Sequence, residues 1–552
     1  MKTLFANATF HTMESETDAH RTMLVEDGRI AAFDLDEADP RAKGAERVDL
    51  HGLHVYPALI DAHLHLLETV ALSGISVQLC DVVDGRIEPH NLAGIEAKIR
   101  EHAARTKPGD LMVCSNCIAL TMDEGRLPNR FELDEWTNDG RCWVMNIDGH
   151  SGSFSTKLLE EIGLLEEAPD GILAGPVHDA NLGRITGVVS SAVGPRLLGD
   201  GIADFCDTCA HFGIGTVCAM DGTDDSERDT LVELMAFLAQ RFPIDVRLFP
   251  QYMDETKLAR VLPRMRRKRV GGCMKWELDG AIGSLTAAFD RPYSNGKQAP
   301  TYFSDEFIEA EVDSLISRDF AVTAHAIGET AISQLVRAFE KADVNLRAAA
   351  SGAADDTPAA GSGAADDTPN HVRYRIDHCE FPSADDAARI CALKPSVTVQ
   401  PGYSWMDKRF MHGYARMLDE DMLAQQIPLR DFTEAGVVIC GSSDAPVQTV
   451  DPFLQMRGMR EFYVEEQSLS AFDALATYTV NGGKMLDEKI GLLREGYEAN
   501  FFATQRDLLA IEPAGLEGMH AECLFMHGTR YTPRSRGVAG LLKLLVSKAQ
   551  KI

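Results

Sequence analysis

No stretch of the 552 residues approaches the ~18 consecutive apolar residues that a membrane-spanning helix requires. The opening MKTLFANATFHTMESE has one early lysine and no apolar run, so it does not read as a secretory signal. Cysteine is scarce. The 12 present are about 2% of the chain, far below disulfide-scaffold density, and a reducing cytoplasm is the expected location. Basic residues are outnumbered, 54 Lys and Arg against 84 Asp and Glu, for a formal net charge of −30. A surface that acidic repels phosphate backbones and anionic lipid, so neither nucleic acid nor a membrane is an expected partner. No G-x-G-x-x-G opens a helix after a strand. The near-match GHSGS at 149–153 has Ser153 where a nucleophile elbow needs glycine, which argues against a serine hydrolase.

What is present is ordinary globular composition, 45% hydrophobic and 25% charged, which excludes wholesale disorder. Eight short apolar, β-branched-rich runs punctuate the middle: Val55–Asp61, Gly215–Met220, Asp245–Gln251, Gly272–Trp276, Phe320–His325, Arg373–His378, Ser396–Gln400 and Gly436–Cys440. Helical patterning fills most intervals, as at Glu306–Arg318, Ala331–Lys341, Ala384–Ala392 and Asp421–Ala435. Eight strands alternating with helices predict an α/β fold, a (β/α)8 TIM barrel over 55–490. The first interval is far longer than the ~30 residues of a strand–helix unit, so about 80–200 should form an insertion after the first barrel strand. Short strands with turns at Asp27-Gly28 and His527-Gly528 suggest one β-rich satellite domain assembled from residues 1–54 and 491–552. The octapeptide SGAADDTP recurs at a period of 11 within 351–369. Its small and polar residues bury too little apolar surface to offset ordering entropy, so a flexible loop is expected there.

In VYPALIDAHLHL, His63 and His65 stand two apart at the end of an extended run, so both imidazoles face one side of a strand. Such a pair suits Zn²⁺, although H-x-H alone is a weak signal. His325 ends AVTAH, His378 ends YRIDH, Asp444 follows GVVICGSS and Lys275 ends GCMK. In a parallel barrel all strands stop on one face, so these six donors would converge on one mouth. An ammonium has no lone pair at neutral pH. Lys275 would therefore ligate only if CO₂ carbamylated it; pairing with Asp279, or binding substrate as a cation, are its other uses. Cys114-x-x-Cys117 and Cys206-x-x-Cys209 match no compact zinc-module spacing and read as structural thiols.

Taken in order, PALIDAHLHL, NIDGHSGSFSTKLLEEIGL, MKWELDGAIGSLTAAFDRPY, HAIGETAI, YRIDHCE, VQPGYS, GSSDAPVQTVDP and GLLREGYEANF resemble the amidohydrolase superfamily. Within it they are similar to the amidohydrolase-3 or YtcJ-like metal-dependent hydrolases, which include N-substituted formamide deformylase. The resemblance runs from about residue 5 to 510 and implies a barrel with a small β-sandwich built from both termini. It implies two divalent metal ions, zinc first: His63, His65 and Asp444 on the more buried one, His325 and His378 on the more exposed one, and carbamylated Lys275 bridging. The implied reaction is hydrolysis of a non-peptide C–N bond in a small-molecule amide or N-substituted formamide, with Asp444 moving the proton. It further implies a substrate contact from His150, with Asp148, Arg184, Tyr293 and Tyr403 as weaker pocket candidates, and a possible homodimer. A mononuclear deaminase or cyclic amidase of the same superfamily is the alternative enzyme, and a catalytically silent barrel scaffold the alternative class. Leu285, where relatives often carry Arg, the loosely matching SNCIALTMDEGRLPNRFELDEW and the extra loop at 351–369 bear on substrate identity.

Overall fold

The computed structural model describes residues 2–36, 39–73, 75–222, 229–352 and 368–552; the low-complexity segment falls largely outside them. Each of the eight apolar runs forms a strand: β1 (Leu59–Leu64), β2 (Ile214–Asp221), β3 (Asp245–Pro250), β4 (Arg269–Glu277), β5 (Ala321–Ala326), β6 (Tyr374–His378), β7 (Ser396–Val399) and β8 (Val438–Gly441). They pair in parallel as β3–β2–β1 and as β4–β5–β6–β7–β8. Their near-continuous burial, as in Val246, Leu248, Val322, Ala324, Ile376, Val397 and Ile439, is what parallel strands covered on both faces require.

The two ladders do not join, so the closed barrel expected from the sequence is not observed. Both seams have a visible cause. On β1, the Ile60 N–H donates to the Tyr478 carbonyl (2.7 Å), and the strand's hydrogen bonds to the β8 side go to residues past the end of β8. There, Asp444 N–H donates to His63 O and His65 N–H to Ala445 O, both at 2.8 Å. Between β3 and β4, the Gln251 side chain accepts the Cys273 N–H (2.6 Å). Gly271 sits at φ +107°, where a Cβ would lie 1.8 Å from Thr323 O. Only glycine lets β4 pass this close to β5, and the register then jumps from Gly272↔Ala324 to Glu277↔His325.

Helices Asp305–Ser317 and Ala384–Leu393 start where Ser304 and Ser383 accept first-turn N–H groups. The helix expected at Asp421–Ala435 is instead two, Glu420–Leu423 and Leu429–Ala435. Pro428 supplies no N–H and disfavours helical backbone before it, and the Ile427 N–H leaves to bond Glu380 O (2.9 Å).

The insertion carries its own five-stranded sheet, in the order Ile172–Ala174, Ser151–Phe154, Arg141–Asn146, Leu111–Cys117 and Ser76–Gln78. The termini form a four-stranded sheet from residues 2–49 and a six-stranded sheet mixing N- and C-terminal strands. Phe5, Phe10, Val55, Phe501 and Phe525 share one buried cluster. Asp27-Gly28 and His527-Gly528 both have positive φ at each residue, as tight hairpin turns demand. Among the described residues no helix is long and apolar enough to cross a membrane.

Candidate metal centre

The C-terminal ends of β1, β5, β6 and β8 bring His63, His65, His325, His378 and Asp444 into one buried cluster. His63 Nε2 and His65 Nε2 each lie 3.3 Å from Asp444 Oδ1. His378 and Asp444 hold left-handed backbone, φ 69° and 57°, a conformation that costs a non-glycine residue about 1–3 kcal/mol and clusters at functional sites.

Every imidazole has its outward nitrogen engaged. His65 Nδ1 faces the Met220 carbonyl (3.2 Å), His325 Nε2 the Gly280 carbonyl (3.3 Å) and His378 Nδ1 the Gln400 Oε1 (2.9 Å). His63 Nδ1 lies between a carboxylate and a donor, 3.0 Å from Asp377 Oδ2 and 3.5 Å from Arg375 Nη2. Arg375 binds the other oxygen, Asp377 Oδ1 (2.6 Å), and the Ala62 carbonyl (2.7 Å). Carbonyl and amide oxygens only accept, so in the neutral rings of His65, His325 and His378 the protons sit outward and the lone pairs of His65 Nε2, His325 Nδ1 and His378 Nε2 point inward. Outer partners of this kind set the tautomer of metal-binding histidines.

Asp444 Oδ1 is buried without a hydrogen bond, facing those lone pairs. Without an ion, protons relieve this repulsion. Burial opposes charge on His65, but the Asp444 carboxylate 3.3 Å away outweighs it and pushes the imidazole up to about 9. His378, where burial dominates, falls to about 4, and His325 goes well below its usual range through burial and its His378 and His150 neighbours. A divalent cation would supply at one point the positive charge that protons otherwise provide. The 3.3 Å separations also match the roughly 3.3–3.4 Å edge of a tetrahedron with metal–N and metal–O bonds of ~2.0–2.1 Å. The residues fit the group.

The centre of the cluster belongs to a residue that sequence reasoning missed. Cys273 Sγ lies 3.5 Å from His63 Nε2, 3.8 Å from His325 Nδ1 and 3.9 Å from His378 Nε2. Cys273 stands two residues before Lys275, the residue expected to bridge, on β4, and Lys275 itself is half-buried. Both fall inside the register jump between Gly272 and Glu277, through which strand alternation cannot be counted. Asp279, the other expected partner of Lys275, accepts three backbone N–H groups, from Ala288, Ile327 and Gly328 (2.8–3.0 Å). Asp377 and Gln400 were also missed. Asp377 directly precedes His378, and that adjacency was its only available signal.

The turn between Arg141–Asn146 and Ser151–Phe154 carries Asp148 and His150 to the site. The His150 and His325 ring centroids are 5.0 Å apart. Burial opposes a charge on His150, but Asp179, 3.3 Å from Nδ1, raises it to about 10. Asp148, His150, Gln400 and Tyr403 line a cavity of about 70 Å³ beside His325, His378 and Asp444, with Ile147 and Ile327 among its apolar walls. Two expected pocket residues are not brought there. Arg184 is exposed on its helix, whose Gly183 and Gly187 instead line a neighbouring cavity against His65. Tyr293 is buried in an apolar cluster with Phe289 and Phe381, its hydroxyl bonded to Ala287 O (2.9 Å). Cys114 and Cys117 lie on an insertion strand and Cys206 and Cys209 on helix Pro195–His211, all buried and unpaired.

Eight parallel strands with a histidine–carboxylate cluster at their C-terminal ends define a class of metal-site α/β proteins. The signature described as "Amidohydrolase family" matches residues 46–530, and the chain belongs to that family. It is similar to YtcJ of Bacillus subtilis, at 22% identity over 96% of this chain and 99% of that protein. It is also similar to the N-substituted formamide deformylase of Arthrobacter pascens, at 23% identity over 91% and 93%. Among solved structures, an uncharacterized metal-dependent hydrolase from Pyrococcus horikoshii OT3 superposes with a TM-score of 0.68 at 19% identity, covering 94% of this chain and 100% of that one.

Proposed function

We propose that this chain hydrolyses the C–N bond of a small amide, with N-substituted formamides as the leading class, at a centre holding two divalent ions, zinc first. One observation carries the reading: three imidazoles have their outward nitrogens on acceptors, and their inward lone pairs converge with His63 Nε2 and the buried Asp444 Oδ1. Family membership and the similarity to a formamide deformylase support the amide class. His63, His65 and Asp444 would hold one ion, and His325 and His378 the other. An ion held there lowers the pKa of water from ~15.7 toward about 7 and polarises a carbonyl oxygen.

The chain's own residues do the rest. The Asp444 carboxylate accepts the proton of the attacking water and passes it to the departing nitrogen, a transfer typically worth ~10²–10⁴-fold. His150, held protonated beside Asp179, offers an N–H donor to the substrate, and Tyr403 and Asp148 border the same space. A cavity of about 70 Å³ suits a formyl or similarly small acyl group, with the apolar side chains receiving the N-substituent. In this reading residues 55–490 are the hydrolase unit, and 1–54 and 491–552 together form a β-sandwich. A dimer and a cytoplasmic location belong to the same reading, and twelve unpaired thiols support a reducing compartment.

The test is amine release from a panel of N-substituted formamides, exocyclic amides and cyclic amides, with chelated and zinc-reloaded protein. Release that chelation abolishes and zinc restores is expected, strongest on formamides. Release indifferent to chelation overturns the metal assignment, and release from cyclic amides alone overturns the substrate class.

A further inference from the structure

We infer that Cys273 is a metal ligand, a thiolate shared between the two ion positions, in the place the family resemblance gives to a carbamylated lysine. The inference deepens the metal-dependent reading above and rests on it.

Three imidazole nitrogens on three different strands surround Cys273 Sγ at 3.5, 3.8 and 3.9 Å. A thiol has one proton and can satisfy at most one of them. With the far nitrogens of His325 and His378 facing acceptors, the inward lone pairs of those two rings and those of sulfur point at one another in a buried space. Cations between them resolve that conflict. The spacing agrees: metal–sulfur bonds of ~2.3 Å and metal–nitrogen bonds of ~2.0–2.1 Å put sulfur and nitrogen roughly 3.5–3.6 Å apart around a tetrahedral ion.

The donors form two sets that share one atom. His63, His65 and Cys273 make one triad, and Cys273, His325 and His378 the other, with all donor atoms of each within 4.8 Å of one another. The buried, unbonded Asp444 Oδ1 adds to the first set. The second set has three protein donors and keeps a position for water or substrate, as catalytic zinc sites do. The backbone is built for this placement. Gly271 at φ +107° lets β4 press against Thr323 of β5, Gly272 at φ +125° lies against Met220 and Gln251, and Gln251 fixes the Cys273 N–H (2.6 Å). On binding, the S–H proton leaves to solvent and the sulfur lone pairs form the bonds to metal. A thiolate selects zinc or cobalt over magnesium, calcium or manganese, which prefer oxygen donors.

The test loads chelated full-length protein with Co²⁺ and reads cobalt content together with the near-ultraviolet thiolate-to-cobalt charge-transfer band. Wild type should show bound cobalt and the band. Cys273→Ser should lose the band and weaken cobalt at least by the ~10–100-fold that outer-sphere changes already cost, while Lys275→Met keeps both. Cobalt bound with no band, a band that survives Cys273→Ser, or a band lost only in Lys275→Met overturns the Cys273 assignment and leaves the metal-dependent reading standing. No cobalt uptake at all overturns both. If Cys273→Ser is insoluble, zinc-edge X-ray absorption of wild type decides: a sulfur shell near ~2.3 Å supports the assignment, and a shell of nitrogen and oxygen alone overturns it.

Discussion

Replacing Asp377 with Asn tests whether the outer contacts organise the site. Asp377 is fully buried, binds Arg375 Nε through Oδ1 (2.6 Å) and faces His63 Nδ1 through Oδ2 (3.0 Å). The amide keeps the shape but loses the charge. Two separable effects follow. Arg375 stays buried without its counter-ion, and breaking a buried pair by removing one partner costs about 3–5 kcal/mol, so the metal-free protein loses that much stability. His63 also loses the carboxylate charge beside its Nδ1, and such changes weaken metal binding by ~10–100-fold. At fixed excess free zinc, that weakening removes about 1.4–2.7 kcal/mol from the stabilisation zinc confers. Urea unfolding of chelated and zinc-buffered samples, wild type and variant, reads both quantities. A variant with a lowered metal-free midpoint but an undiminished zinc increment would show that Asp377 supports the fold and does not orient His63.

Asp444→Asn should retain zinc, since an amide oxygen can still ligate, and lose ~10²–10⁴-fold in kcat on whichever amide the panel identifies; near-wild-type turnover removes the proton-transfer role. His63→Ala should lower zinc per chain by elemental analysis, and an unchanged count contradicts the ligand set. His527 lies 3.5 Å from Asp245 and 3.6 Å from Glu498, and its hydrogen bond with Asp245, outweighing burial, raises it above its ordinary 6.5. A raised folded-state value stabilises fully below pH 6.5 and loses that contribution as pH rises through the folded-state value. His527→Gln should therefore flatten the decline in urea midpoint from pH 6.5 upward; an unaltered slope would mean the pair contributes nothing.

Much of the scaffold was legible because its signals are local. A β-branched run bounded by turn residues becomes a strand whatever surrounds it, so all eight parallel strands were read within a few residues of their observed ends. The Asp27-Gly28 and His527-Gly528 hairpins were equally plain, since positive φ at two successive positions favours those residues. The histidines were legible through position: each ends a strand, and parallel strands end together. Where neighbours in space override neighbours in sequence, the reading failed. Leu429–Ala435 is separate from Glu420–Leu423 because Ile427 bonds across to Glu380. Tyr293 points into an apolar cluster, and Arg184 stays on the outer side of a helix whose glycines face a cavity.

The sequence by itself determined the strand–helix alternation, the composite terminal sheets and the clustering of His63, His65, His325, His378 and Asp444, because each depends on residue type and short-range periodicity. Only the tertiary structure decided which side chain stands among them. Gly271 pressed against β5 and Gly272 against Met220 and Gln251 flank the register jump of β4, and Cys273 follows them between the imidazoles. It also decided which nitrogen of each imidazole faces the centre, because Asp377, Gln400 and the Met220 and Gly280 carbonyls arrive from other strands and loops.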